Sequence, residues 1–421
     1  MLKFIHTADI HLDSPLQGLE RYEGAPVEEI RGATRKALQN LVDLAIREEV
    51  DFIVIAGDVY DGDWKDHNTG LFFVSRMSQL RDAGIPVIMI SGNHDAANKM
   101  TKTLPLPDNV ELLSHKKSQT ATSPKLAELG VAVHGRSFAE AAEFGNMARD
   151  YPSKSNGLFN IGLLHTSLDG AEGHAPYAPC TVDELRQKQY DYWALGHVHN
   201  RGIVCEDPPV VFCGNLQGRH IRETGSKGCY VVTVDGARKC TLLFEPLDVF
   251  RWELCTVNAK DAERPEDVLA RFSAELSIVM QQHPGFPLAV RVIVNGRCSA
   301  HNQLVADPHR WTNDIRAMAL DASGGNVWIE KVKFQTAQRS DIDPELPTDG
   351  PIGELLLYLK ELAADDAQLQ ELSNELADLR KKLPNELVLG EDGLAFDDPA
   401  ELRRRLTDVE SLLLNRITED C

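Results

Sequence analysis

Apolar runs alternate with amphipathic segments at the start of the chain. Strands are predicted at 2–10, 51–58 and 85–90, and helices at 26–49 and 68–83. Strands and helices that alternate in this order build a parallel sheet with helices on both of its faces. The N-terminal part of the chain therefore predicts an α/β fold.

Short apolar segments continue this pattern as far as residue 245. Strands are predicted at 109–113, 131–135, 161–165, 202–206, 210–214, 228–235 and 240–245, with a helix at 181–190. The last four strands are expected to be antiparallel, and a turn at Asp235-Gly236 joins the final pair. We expect these elements to complete one domain at 1–247, built as a two-sheet α/β sandwich.

A second pattern begins at residue 248 and carries no cluster of Asp and His residues. Its strands are predicted at 251–257, 287–294 and 327–334, and its helices at 264–282 and 307–320. We expect a small α+β capping domain at 248–338, followed by a Pro- and Asp-rich linker at 339–350. The rest of the chain, 351–421, predicts a helical segment with leucine-striped helices at 351–383 and 399–417.

Polar residues with metal-binding side chains stand at or just after the ends of five apolar, strand-like runs, the last of which is YWALGH at 192–197. They are Asp9 and His11, Asp58, Asn93, His165, and the pair His197 and His199. Because the carboxyl ends of parallel strands collect ligands at one edge of a sheet, we expect these side chains to converge. In D-x-H and in H-x-H, the two residues are expected to point the same way from an extended backbone. Each motif alone has an ordinary explanation as a turn or a buried histidine, but together they indicate a metal centre.

The side-chain types indicate which ions this centre holds. Carboxylate, imidazole and amide-oxygen ligands suit Mn²⁺, Fe²⁺ or Zn²⁺. Seven ligands exceed the needs of one ion, so we expect two divalent ions about 3.5–4 Å apart, with Asp58 between them. His94 is expected to contact a phosphate or to protonate a leaving oxygen, and Asp95 is a second catalytic candidate.

Composition sets limits on the class of protein. The 421 residues predict two or three domains, and no apolar stretch is long enough to span a bilayer. The eight cysteines include no C-x-x-C pair, and the N-terminus lacks the apolar core of a signal peptide, so we expect a cytoplasmic protein. A net charge of −20 argues against general affinity for nucleic acid. Residues 339–421 hold 21 acidic and 9 basic side chains, so −12 of that charge lies there and a DNA substrate is not excluded.

The five motifs resemble those of the calcineurin-like metallophosphoesterases. The match consists of Asp9-x-His11, Gly57-Asp58, Gly92-Asn93-His94-Asp95, His165 and Gly196-His197-x-His199. The sequences IHTADIHL and GDVYDGD look like the SbcD branch of DNA repair nucleases. HLDSPL and GNLQGRHIRETGSKGC are similar to those of YhaO-type relatives.

This resemblance implies a ligand set and a reaction. Asp9, His11, Asp58 and His199 would hold one metal ion; Asp58, Asn93, His165 and His197 would hold the other, typically Mn²⁺. The implied reaction is hydrolysis of DNA phosphodiesters by an exonuclease, with endonuclease cleavage left open. Alternatives are a phosphodiesterase for nucleotides or other small esters, and a scaffolding subunit with a vestigial site.

The resemblance also implies a partner and shows one departure. An SbcC-like coiled-coil ATPase would bind the helices at 351–417. The alternative is that these helices form a hairpin that packs on its own domain. Formation of a homodimer is a further possibility. SbcD-type nucleases often carry a second histidine after Gly-Asp, where this chain has Asp61, and we expect that carboxylate to repel phosphate. Arg219, His220 and Arg222 are candidates for contacts with a phosphate backbone, or for a solvated turn.

Overall fold

A computed structural model describes most of the chain. The described residues are 1–14, 27–61, 68–97, 105–170, 175–338 and 350–382, with 398–403, 405, 406 and 409. The chain divides into two compact units. The first comprises Met1–Cys255, Leu276–Val292 and Arg316–Lys331, and the second comprises Thr256–Glu275, Ile293–Ile315 and Val332–Cys421.

The first sheet has six strands in the order β12-β11-β1-β2-β3-β4. Their bounds are β1 (Leu2–Thr7), β2 (Phe52–Ile55), β3 (Val87–Met89), β4 (Val110–Leu112), β11 (Gly228–Val234) and β12 (Cys240–Pro246). Strands β1 to β4 are parallel to one another, and β11 pairs antiparallel with both β1 and β12. The parallel half of this sheet is the part that the alternating pattern predicts.

The second sheet also has six strands, in the order β5-β6-β7-β8-β10-β9. Their bounds are β5 (Gln119–Thr120), β6 (Val131–Gly135), β7 (Phe159–His165), β8 (Tyr192–Gly196), β9 (Gly202–Glu206) and β10 (Pro209–Phe212). Strand β10 is parallel to β8 and antiparallel to β9, so the antiparallel arrangement predicted after residue 202 holds only in part.

Apolar side chains from both sheets form one buried core between them. Phe4, Phe52 and Ile88 of the first sheet share a cluster with Ile161 and Tyr192 of the second. The helices α1 (Val27–Arg47) and α2 (Asn68–Asp82) contribute to a separate cluster with the other face of the first sheet. Short helices α3 (Asn93–Ala97), α4 (Pro124–Glu128) and α5 (Val182–Gln187) complete this region. The predicted two-sheet α/β sandwich is therefore confirmed.

A three-stranded sheet with the order β13-β14-β15 follows. Its elements are β13 (Arg251–Asn258), α6 (Pro265–Gln282), β14 (Leu288–Cys298), α7 (His301–Ala306), α8 (Pro308–Ser323) and β15 (Val327–Gln338). Arg291 of β14 and Glu330 of β15 form a buried ion pair through two bonds of 2.7 and 2.8 Å. The helix predicted at 307–320 corresponds to α8, and α7 has no counterpart among the predicted elements.

The prediction of one continuous helix at 351–383 is wrong. The structure has α9 (Pro351–Ala364), α10 (Asp366–Glu375) and α11 (Ala377–Lys382) instead. Asp365 interrupts the run because its backbone is extended and its side chain accepts a hydrogen bond from the Ala367 N–H, which caps α10. Residues 339–349 of the predicted linker, and most of the helix predicted at 399–417, lie outside the described residues.

The described part of this C-terminal segment packs on itself. Leu359, Leu369 and Leu402 are buried, and the Arg403 guanidinium donates to the Ala363 carbonyl at 2.7 Å. None of the helices in the described ranges is long and apolar enough to cross a membrane.

Candidate metal centre

The predicted ligands all lie at or just beyond the carboxyl ends of five parallel strands. Asp9 and His11 follow β1, Asp58 follows β2, Asn93 begins α3 after β3, His165 ends β7, and His197 and His199 follow β8. Because these ends share one edge of the sandwich, the topology brings residues that are far apart in sequence into one place.

The backbone that carries these residues is strained. Asp9, His11, Asp58 and His197 have positive φ angles of 49°, 44°, 51° and 95°. Residues other than glycine rarely adopt such angles. The Asp9 N–H donates to the Gly57 carbonyl at 3.0 Å and the His11 N–H to the Asp58 carbonyl at 3.1 Å, which holds the loops together. Strained residues of this kind cluster at functional sites. The prediction that D-x-H and H-x-H lie on extended strands is therefore wrong, and β1 ends at Thr7 instead of residue 10.

Asp58 occupies the middle of the cluster and is buried. Its Oδ2 lies 3.9 Å from His11 Nε2 and 3.4 Å from His165 Nε2. Its Oδ1 accepts a hydrogen bond of 2.9 Å from the His94 N–H. The carboxylate thus lies between two imidazoles and is oriented by the start of α3, which is the position expected of a bridging ligand.

Two groups of donors flank Asp58. On one side, His11 Nε2 and His199 Nε2 are 3.1 Å apart, and both lie near Asp9. On the other side, His165 Nε2 lies 3.0 Å from Asn93 Oδ1. The donor atoms of Asp9, His11 and His199 lie within 4.8 Å of one another, and so do those of Asp9, Asp58 and His165 and those of His11, Asp58 and His94.

His197 is held beside both groups by its backbone. Its N–H donates to the two oxygens of Asp9 at 3.1 and 3.0 Å, and its ring centroid lies 5.1 Å from that of His165. Its Nε2 donates to the Ala175 carbonyl at 3.0 Å, so Nδ1 is the atom that would reach a metal.

Hydrogen bonds to the opposite ring nitrogen fix the tautomers of two further ligands. His165 Nδ1 donates to the Ala56 carbonyl at 2.9 Å, and His199 Nδ1 donates to Glu223 Oε1 at 2.6 Å. In both rings, Nε2 is left to face the cluster, as in the metal sites of many proteins. Glu223 is a functional residue that the sequence analysis missed, because the resemblance of the segment GNLQGRHIRETGSKGC that contains it assigned no role to the glutamate. It is buried and also accepts bonds from Asn215 Nδ2 at 2.9 Å and from the Arg219 N–H at 2.7 Å.

Glycines make room for this packing. A Cβ at Gly57 would lie 2.6 Å from His165 Nδ1, and one at Gly92 would lie 2.3 Å from Asp58 Oδ1. A Cβ at Gly196 would lie 2.1 Å from the Ala56 carbonyl oxygen. These three motif glycines are needed because their neighbours approach the backbone directly.

The electrostatics of the cluster fit divalent cations. Burial raises the pKa of Asp9 to about 6, and burial lowers the pKa of His11 to about 3. Burial would also raise the pKa of Asp58, but the neighbouring His165 outweighs it and lowers that pKa. Burial opposes protonation of His165, whereas Asp58 raises its pKa to about 9. Two buried carboxylates, an amide oxygen and four imidazoles therefore form a donor set whose two negative charges would offset part of the charge of two divalent ions.

His94 lies beside the cluster and is paired with Asp61. Its Nδ1 is 2.7 Å from Asp61 Oδ1, and its side chain is 39% exposed. Burial lowers the pKa of His94, but the bond to Asp61 and the charges of Asp58 and Asp61 together outweigh it and raise that pKa above its ordinary value. Asp61 also accepts hydrogen bonds from Ser14 and, at 3.2 Å, from Arg219 Nη1. The expectation that Asp61 repels a phosphate is not supported, because its charge is already shared with a histidine and an arginine.

Asp95 makes contacts that differ from those of a catalytic group. Its buried carboxylate accepts hydrogen bonds from the N–H groups of Val59, Tyr60 and Gly92 at 3.2, 2.9 and 3.1 Å. We therefore interpret Asp95 as a positioning residue that ties the loop after β2 to the start of α3.

The three candidates for phosphate contacts lie at different depths. Arg219 reaches the site, with Nη2 3.3 Å from Glu223 Oε1. The His220 side chain is 51% exposed, with Nε2 3.4 Å from Glu223, and Arg222 is exposed. Of the three candidates, the structure thus brings Arg219 into the metal centre, whereas His220 contacts Glu223 from the surface and Arg222 is exposed.

The chain is similar in sequence to known proteins over most of its length. Residues 2–201 match the calcineurin-like phosphoesterase family, and residues 252–337 match the middle domain of metallophosphoesterase YhaO. The chain is 34% identical over 296 residues to a protein named uncharacterized metallophosphoesterase YhaO from Bacillus subtilis. The aligned region covers 70% of this chain and 72% of that protein. It is 23% identical over 377 residues to the DNA double-strand break repair protein Mre11 from Sulfurisphaera tokodaii, which covers 86% and 89%. A dimetal phosphatase from Danio rerio is 11% identical with a TM-score of 0.35, over 58% of this chain and 98% of that one.

Proposed function

Since the chain belongs to the calcineurin-like metallophosphoesterase family, we propose that it is a two-metal phosphodiesterase that hydrolyses DNA. The observation that carries this proposal is the convergence of donor atoms from Asp9, His11, His165 and His199 around the buried Asp58, with Asn93 Oδ1 3.0 Å from His165 Nε2. The DNA substrate is supported by the similarity to Mre11, whose name assigns it to DNA double-strand break repair. Cleavage by an exonuclease, and by an endonuclease as well, is part of this proposal.

The ligands divide between two ions in this proposal. Asp9, His11 and His199 would hold one ion, Asn93, His165 and His197 would hold the other, and Asp58 would contribute to both sites. Mn²⁺ is the proposed metal, with Fe²⁺ or Zn²⁺ as alternatives. When bound, the pair would lower the pKa of a shared water and neutralise charge on a phosphoryl oxygen.

His94 supplies the proton in this mechanism. Its Nδ1 is engaged by Asp61, so Nε2 is the atom that would donate to the leaving oxygen. Because Asp61 raises the pKa of His94, the imidazolium persists closer to neutral pH than in a free histidine. Arg219 lies against the same carboxylate, and its guanidinium can contact a phosphate oxygen as the substrate enters.

Two variants with a matched control test this proposal. With Mn²⁺ and labelled single- and double-stranded DNA, we expect the wild type to cleave DNA. We expect Asp58→Ala to lose metal and turnover, and His94→Ala to keep metal and lose turnover. His115→Ala, an exposed histidine in a loop, should leave both unchanged. Full activity in His94→Ala would contradict the role of that residue, and absence of cleavage of either DNA would contradict the substrate.

A second candidate function is hydrolysis of nucleotides or other small phosphodiesters. The net charge of −20 favours it, since a polyanion is repelled by such a chain. It would replace the first proposal if bis-p-nitrophenyl phosphate and nucleotides are hydrolysed while DNA is neither bound nor cut.

We also propose that the helices at 351–417 bind an SbcC-like coiled-coil ATPase. The exposed side chains of Leu357, Tyr358 and Leu379 support this proposal, because they are apolar positions left uncovered in the described part of the segment. The buried leucines and the bond from Arg403 to Ala363 favour the alternative, a hairpin on its own domain. Co-purification with the ATPase, and its loss when residues 351–421 are removed, would separate the two; a homodimer would appear as doubled mass in light scattering.

A further inference from the structure

A cavity of about 330 Å³ lies beside the metal centre, next to the loop that follows β8. His199 belongs to both places, because its imidazole is one of the metal donors while the residue also lines the cavity. The lining also includes Arg201, Ser226, Lys227 and Phe244.

The charge of this cavity is opposite to that of the chain. Its lining contains Arg201 and Lys227 and no acidic residue, although the chain carries −20. A larger cavity of about 670 Å³ shows the contrast, because it is lined by one arginine and four acidic residues: Asp169, Asp183, Glu206 and Asp207. A positive cavity next to a phosphoesterase centre is therefore a local feature of this face.

Arg201 is held in position with donors to spare. Its guanidinium carbon lies 3.9 Å from the centroid of the Phe244 ring, and Nη1 donates to the Ser226 carbonyl at 2.6 Å. A guanidinium has five N–H donors in a rigid fork, and stacking on an aromatic ring fixes its plane. The group is therefore preorganised to bind the oxygens of an anion.

Lys227 brings a second charge to the same cavity. Its side chain is buried, with the residue 6% exposed, and Nζ lies 3.3 Å from the His199 carbonyl oxygen. The nearby carboxylates are engaged elsewhere, since Glu223 binds His199 and Asp248 binds Arg251. An ammonium group has three donors, so an anion in the cavity would complete its bonding.

We infer that this cavity is a subsite for a second backbone phosphate of a polynucleotide whose scissile phosphate lies at the metal centre. The inference rests on the proposed DNA phosphodiesterase activity and adds a reason for it, since a small ester with one phosphate has nothing to place there. Cations that bind backbone phosphates fix the register of a nucleic acid without reading its sequence. The subsite therefore selects for a chain of phosphates and is indifferent to the bases.

The test compares a polynucleotide with a one-phosphate ester. Binding of a fluorescent 12-residue single-stranded oligothymidylate would be measured by anisotropy across a salt series, with Mn²⁺ and in the His94→Ala background to prevent cleavage. We expect Arg201→Ala to weaken binding roughly tenfold and to reduce the slope of log K against log salt by about 0.7, the value for one phosphate contact on a single strand. Arg201→Lys should retain that slope because it retains the charge.

Further variants guard against misfolding. Lys227→Met should give the same change in slope, and circular dichroism should show its fold to be unchanged. Arg81→Ala is the matched control, because Arg81 is an exposed arginine at the end of α2 that pairs with Asp82. It should bind the oligonucleotide with the affinity of the His94→Ala protein.

A kinetic comparison uses the enzyme with His94 intact. Arg201→Ala should lower kcat/KM for the oligonucleotide at least threefold more than kcat/KM for bis-p-nitrophenyl phosphate, since only the oligonucleotide reaches the cavity.

The outcomes separate this inference from the proposed function. If the wild type cleaves DNA and Arg201→Ala binds the oligonucleotide with unchanged affinity and salt slope, the subsite is wrong and the function stands. If the wild type neither binds nor cleaves DNA but hydrolyses the one-phosphate ester, the proposed function is wrong and the subsite falls with it.

Discussion

Replacing Gly92 by alanine would displace the carboxylate at the middle of the metal centre. The added Cβ would lie 2.3 Å from Asp58 Oδ1 and 2.7 Å from His165 Cε1, whereas ordinary contacts begin at 3.4 Å. The oxygen would therefore have to retreat by about 1.1 Å, the difference between 3.4 and 2.3 Å. Asp58 is buried and bonded to the His94 N–H, so this movement pulls it away from its place between the two imidazoles.

A displacement of this size has a predictable effect. Misplacing a catalytic group by about 1 Å can reduce turnover roughly 100-fold, and overpacking a buried site typically lowers the free energy of unfolding by about 1–3 kcal/mol. We expect Gly92→Ala to fold, to bind Mn²⁺ more weakly in calorimetric titrations, and to lose about two orders of magnitude in kcat for bis-p-nitrophenyl phosphate.

Gly145→Ala is the matched control. No atom outside its chain neighbours lies within 4 Å of a Cβ at Gly145, so the same added methyl group should change neither metal binding nor turnover. If Gly92→Ala retained wild-type affinity for Mn²⁺ and wild-type kcat, the close packing of Gly92 on Asp58 would not be what positions the bridging carboxylate, and the reasoning would be refuted.

Three further predictions concern Asp61 and Glu223 at the metal centre and Arg291 of β14. Asp61→Asn should lower the pKa of His94, so that kcat begins to fall at a lower pH than in the wild type. We expect kcat to be about tenfold lower and the metal content to be unchanged. An unaltered pH profile of kcat would refute the pairing of Asp61 with His94. Glu223→Gln should weaken Mn²⁺ binding about 10- to 100-fold by calorimetry, because the bond that orients His199 is weakened, and unchanged affinity would count against that role. Arg291→Met should lower the free energy of unfolding, measured in urea, by about 3–5 kcal/mol, because it leaves Glu330 buried without this partner. The turnover of the folded molecules should stay the same. A loss of less than about 1 kcal/mol would show that the ion pair is dispensable.

Much of the α/β core can be predicted from the sequence because its signals are local. The run at 51–58 contains β2, with all four strand residues buried, and the amphipathic helix predicted at 26–49 is α1 within two residues of each end. The ligand positions follow from the same logic, since a polar residue directly after a buried parallel strand must lie at the edge where the other strands end.

Other features depend on contacts that no local pattern records. The left-handed backbone at Asp9 and Asp58 is set by hydrogen bonds between the two loops, which form only when both strands are in place. Glu223 meets His199 across 24 positions, and Asp61 meets His94 across 33. The end of α9 was missed for the opposite reason, because the signal at Asp365 is local but weaker than the leucine periodicity that surrounds it.

The most direct test of this account is the number and position of metal ions in a crystal grown with Mn²⁺. Anomalous diffraction should show two ions about 3.5–4 Å apart, with Asp58 between them, His11 and His199 on one side, and His165 on the other. A single ion, or two ions that do not contact Asp58, would contradict the two-metal centre on which the proposed function depends.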